Sequence, residues 1–148
     1  MLSGRWRFFW GADGGDGEVV LEEGDLINIP TGIFRGFENI GTDYGMIMAV
    51  LGGNDAGGGV VWAPKVIEEA REHGLVLAAN GRLYDSKKGV HPPEGVGPMP
   101  TLTKDEIAQF PKVSSQEFVP RFVARYWDMM AMADGCPASV IAPDGMLK

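Results

Sequence analysis

Cysteine is nearly missing from this chain: Cys136 is the single one in 148 residues. An internal disulfide and a CxxC metal knuckle are both excluded, which fits a reducing, cytoplasmic setting. Cys136 lies in the turn-like run Asp134-Gly135-Cys136-Pro137. A small structural thiol suits that context; a catalytic thiolate would want a nearby histidine. Histidine is scarce as well, with only His73 and His91. Positive charge is in deficit: 13 Lys and Arg face 20 Asp and Glu, a net charge of −7. Such a surface repels phosphate backbones, so no nucleic-acid partner is expected, and no basic run suits an anionic membrane. No apolar run reaches the roughly 20 residues of a membrane span. The opening MLSGRWRFFWG has no small-residue cleavage site after it and reads as a strand, not as a signal peptide.

Turn formers are plentiful, with 22 Gly and 10 Pro. They punctuate a series of short apolar runs, the pattern of a mainly β protein. Strands are predicted at Arg5–Trp10, Glu18–Glu22, Leu26–Ile29, Phe34–Ile40 and Gly45–Leu51. Pro30-Thr31-Gly32 makes a turn, since proline fixes φ and glycine permits positive φ. The last of these runs lacks polar alternation, so it should be covered on both faces. Gly52–Gly59 then reads as a flexible connection. No Gly-Lys-Ser/Thr follows it, as phosphate binding would need.

Helices are predicted further on. Pro64–His73 has proline at its start and Gly74 past its end. Val66, Ile67 and Ala70 share a face, and His73 sits in the last turn, where the helix dipole favours a cation. A short strand falls within Gly74–Asp85, and residues 86–101 form a loop with His91 exposed in it. Thr103 and Glu106 have capping-box spacing before a helix to Phe110. Phe118, Phe122, Tyr126 and Met129/Met130 recur at helical spacing. Pro120 should not lie inside a helix, so the expected helix runs from about Pro120 to Ala133. The stripe reads as packing surface or an interface. Ser139–Ala142 could add a final strand.

One spacing stands out. Gly24, five residues, Pro30, one residue, Gly32, two residues, Arg35, three residues, Asn39 resembles the second motif of the cupin superfamily, G-x5-P-x-G-x2-H-x3-N. Only the histidine fails, replaced by Arg35. The resemblance covers about residues 4–52. It implies a cupin-like double-stranded β-helix, the jelly roll, present here as the second half of a barrel. Gly4 resembles the closing glycine of the family's first motif, which would put that motif's two histidines and glutamate before Met1. The expected organisation is a barrel portion over residues 1–60 and a helical and loop extension, 61–148, packing on the same domain.

Two consequences follow from the resemblance. An arginine stays protonated and offers only donors, so no metal site of the usual cupin kind, and no cofactor, is expected. Half a jelly roll also leaves strand edges and an apolar face open, so a homodimer, a companion cupin chain or cover from the C-terminal helices should complete it. In the family, residue 35 points inward, so Arg35, Phe37 and Asn39 should line any cavity, with Trp6 and Tyr44 as candidate walls. Arg35 would then pair with Glu22, Glu23 or Asp25, or grip the carboxylate of a small molecule. The expected function is a cupin-like binding or assembly module without the usual metal ligands. The alternative is a ligand-poor subunit or fragment of a cupin-type non-haem iron aromatic-ring dioxygenase. An isomerase using His91 as base ranks last, because nothing places an acid beside it.

Overall fold

The computed structural model describes residues 1–51 and 61–129. The Gly52–Gly59 connection, Cys136, the far end of the helix predicted to reach Ala133, and the Ser139–Ala142 strand lie outside them. Three strands form an antiparallel sheet: β1 (Trp6–Trp10), β2 (Gly17–Leu21) and β4 (Arg35–Asn39), in the order β2-β1-β4. Between them, β3 (Leu26–Ile27) pairs with β7 (Val123–Ala124). The helices are α1 (Pro64–Glu72), α2 (Lys104–Ala108), α3 (Ser115–Phe122) and α4 (Tyr126–Met129), and β5 (Leu75–Leu77) and β6 (Leu83–Asp85) form a hairpin after α1.

Mainly β therefore needs correcting. Among the described residues strand and helix contribute about equally, the sheets are small and antiparallel, and no barrel closes. The run from Gly45 is not a strand: it makes one bridge, Met46 to Ser3. Ile47 packs against the core, but Met48 is 68% and Val50 86% exposed, so this apolar run is covered on one side only where coverage on both faces was expected. No helix among the described residues is long and apolar enough to cross a membrane.

The two faces of the main sheet differ because side chains alternate along each strand. Register places Trp6, Phe8 and Trp10 beside Leu21 and Val19 on β2 and beside Asn39, Phe37 and Arg35 on β4. The opposite face is polar. There Arg7 bridges Glu18 at 2.9 Å and Glu38 at 3.1 Å, tying the three strands together.

Helix α3 covers the β2 and β1 part of the apolar face. Phe118 is fully buried and stacks on Trp10 with ring centroids 4.3 Å apart. The Trp10 indole N–H donates to the Val113 carbonyl at 2.6 Å. Ser115 Oγ accepts from the Glu18 amide and donates to its carbonyl, both at 2.8 Å, so the helix start is stitched to β2. With Phe8, Val19, Leu21 and Ile33 these rings make the core. Each such side chain contributes about 1.5–3 kcal/mol on leaving water.

Helix α3 also corrects the sequence reading. It begins at Ser115, five residues before Pro120, with a capping box between Ser114 and Glu117. Pro120 falls inside it. The helix ends at Phe122, so the proline removes one hydrogen bond near the terminus and leaves no long segment to kink. The capping box at Thr103 and Glu106 is present, and His73 caps α1, its N–H reaching Ala70 and Glu69 carbonyls. Ile67 is buried, but Val66 is 45% exposed, so the apolar face of α1 is narrower than expected.

Candidate functional site

Two places on the molecule merit a chemical reading. The first is the strip singled out by the sequence. Arg35, Phe37 and Asn39 share the apolar side of β4, as alternation requires, yet they do not line a cavity. Arg35 is exposed, and its guanidinium reaches only the Ile33 carbonyl at 3.5 Å. No ion pair joins it to a carboxylate among the described residues. Phe37 is 60% exposed and Tyr44 74%. Trp6, half-buried, meets Phe37 edge-on at 6.0 Å, and Phe8 lies 5.7 Å from the same ring. Asn39 turns away from any ligand: its amide donates to the Asp43 carbonyl and its oxygen accepts from the Gly41 amide, both at 2.9 Å.

A helix is about 10 Å across and strands lie about 4.8 Å apart, so one helix covers roughly two strands. Docked on β2 and β1, α3 leaves β4 bare. The cavity inferred for a closed barrel is absent here because the strip has no opposing wall among the described residues.

Two of the three carboxylates proposed to pair with Arg35 are engaged elsewhere. Glu22 lies 3.4 Å from Arg5. Asp25 is only 5% exposed and belongs to a different network. Its carboxylate accepts from the Glu22 amide at 3.0 Å, the Arg125 guanidinium at 2.8 Å and the Tyr126 amide at 2.9 Å. Burial alone would raise its pKa, but the two amides and the guanidinium outweigh burial and hold it below its ordinary value. Gly24 beside it has φ +85°, and a Cβ there would also strike the Tyr126 ring at 2.6 Å. Gly32, the other glycine of the motif, has the same φ of +85°. Both motif glycines thus meet a backbone requirement that other residues satisfy only with strain.

The second place is a concavity of about 460 Å³ above Asp25, with Arg5, Glu22, Glu23, Arg125, Trp127 and Asp128 around it. Sequence reading missed Arg125, Trp127 and Asp128, which reach this spot only by folding back across about a hundred positions. Arg5 and Arg125 are engaged with Glu22 and Asp25. The site holds polar groups but no histidine, cysteine or serine to act as nucleophile or base. Elsewhere, the carboxyls of Glu106 and Glu117 are lowered, the first by the Thr103 amide and hydroxyl, the second by the Ser114 hydroxyl and amide. A general acid working near neutral pH needs the opposite shift.

The metal that the cupin resemblance implies does not fit the residues present. Arg35 stands at the ligand position, His73 caps α1 and His91 is exposed in its loop. Among the described residues no group of three or more His, Cys, Asp or Glu is placed to hold a metal ion. No protein-family model, no curated protein and no solved structure matches the chain.

Proposed function

We propose that this is a cupin-like protein without the metal ligands usual to that family, working as a binding or assembly module. The cysteine-poor composition supports a cytoplasmic setting for it. The observation that carries the reading is Phe37, 60% exposed on the side of the sheet that elsewhere forms the core. With Trp6 at 6.0 Å and Phe8 at 5.7 Å, its ring carries the apolar face out to the sheet edge, the place a partner would cover. Arg35 and Asn39 lie four residues apart, about 13 Å along a strand. A strip of that length suits an extended partner better than a small molecule.

Metal analysis of the purified chain tests the reading. Iron, manganese and zinc should each stay far below one per chain. A stoichiometric transition metal would overturn it, because ligands outside the motif would then have to exist.

The bare outer side of β4 also suits the alternative, a ligand-poor subunit or fragment of an aromatic-ring dioxygenase with its iron on a companion chain. Co-purification with a chain carrying H-x-H and glutamate would favour that alternative.

A further inference from the structure

We infer that the outer edge of β4 pairs with the same edge of a second copy of this chain, antiparallel and about a two-fold axis at Phe37. The inference rests on the assembly half of the function proposed above. It begins with the direction of the backbone groups. The Ile40 amide donates to the Arg5 carbonyl and the Gly11 amide to the Phe34 carbonyl, both at 3.0 Å. In the register of β1 and β4 these bonds fix the phase of the ladder. Gly36 and Glu38 bond toward β1, while the N–H and C=O groups of Arg35, Phe37 and Asn39 point away from it. Strand β4 is last in the order β2-β1-β4, and no described strand takes those groups. An open row of donors and acceptors is a template for another strand.

Charge selects the occupant and the direction. One end of β4 carries Arg35, which has no carboxylate partner among the described residues. At the other end Asn39 holds the carbonyl of Asp43, placing that exposed acid there. An antiparallel copy sets each Arg35 against the Asn39–Asp43 end of its partner. A parallel copy would set like charge on like. Only outward-facing residues can exchange bonds, and among the registers that satisfy this an axis at Phe37 sets Phe37 on Phe37 and Arg35 on Asn39. An axis at Gly36 would instead set Arg35 on Phe37, away from the Asn39–Asp43 end of the partner. Moving the axis to Glu38 would oppose two glutamates, and moving it to Arg35 would oppose two arginines. With the axis at Phe37, Glu38 faces Gly36 and stays free to hold Arg7 on the polar side. The two exposed phenyl rings then cover each other, and the three-stranded sheet becomes a six-stranded one across the axis.

Sedimentation equilibrium of the whole chain, with amide hydrogen exchange, tests this. The chain should be dimeric at roughly 100 µM, and Asp43→Arg should weaken the dimer about tenfold or more. Arg35→Asp should do the same, and the double reversal Arg35→Asp/Asp43→Arg should restore it. The amides of Arg35, Phe37 and Asn39 should be protected in the dimer and exposed on dilution. A monomer at all concentrations overturns the inference, as does a dimer indifferent to both reversals. Protection of those amides in a monomer also overturns it, since another segment of the chain would then hold the edge. Mass and metal content are separate readings, so failure here is distinguishable from failure of the metal-free reading.

Discussion

Asp25→Ala should destabilise the fold by about 3–5 kcal/mol, seen as a lower midpoint in chemical denaturation. The carboxylate is buried and serves three donors, the Glu22 and Tyr126 amides and the Arg125 guanidinium. Removing it strands two amides and a half-buried cation. Each orphaned amide alone costs about 1–3 kcal/mol. Arg125→Ala leaves the carboxylate its Glu22 and Tyr126 amide donors, and the guanidinium is 40% exposed, so it should cost clearly less than Asp25→Ala. Equal losses, or none, would show that the carboxylate does not organise this junction.

The same group sets a pH dependence. Its folded pKa lies below the ordinary 3.8, because the amides and Arg125 outweigh burial. The stability it contributes is complete above the unfolded value. It is lost as pH falls through the folded one. Asp25→Asn cannot titrate, so the stability gap between it and the parent should narrow as pH drops from about 5 toward 2. A gap that is constant over that range would contradict the lowered pKa.

Phe118→Ala should cost about 3–5 kcal/mol as well. Its ring is fully buried, stacked on Trp10 at 4.3 Å and tilted against Phe122 at 4.9 Å. The helix that carries it is short, so little of the helix's stability comes from propensity. Losing the ring should therefore loosen α3 from the sheet, with a red shift in the emission of Trp10 as water reaches the indole. Phe37→Ala is the control: at 60% exposure it should cost under about 1 kcal/mol in a monomer. Near-equal losses for the two phenylalanines would mean that α3 is not what completes the core.

Local features of the fold were legible in the residues. The first two strands and β4 lie where alternation and turn residues predicted them. Proline at the start of α1, and the Thr103 capping box, act through bonds a few residues long and need no distant partner. Ser114 and Glu117 carried the same signal for α3. The expectation of a start near Pro120 missed it, since the penalty of a proline is small near a helix end. The shared face of Arg35, Phe37 and Asn39 was also readable, because alternation is intrinsic to a strand.

What covers a face was not readable. Nothing local to Met46–Leu51 distinguishes an apolar run awaiting a neighbour from one that has found it, and here it bridges Ser3 and turns Ile47 to the core while Met48 and Val50 stay exposed. Glu22, Glu23 and Asp25 looked equivalent as partners for Arg35. Folding brought Arg125 to Asp25 and left Arg35 in water, a choice made across a separation of 100 residues. The sequence by itself determined β1, β2 and β4, the Thr103 cap, the turn glycines and the side of β4 on which each residue stands, since sterics and backbone bonding act over one or two turns of chain. Only the tertiary structure decided that α3 docks on β2 and leaves β4 uncovered, because several apolar surfaces compete for one helix and only their packing in space selects among them.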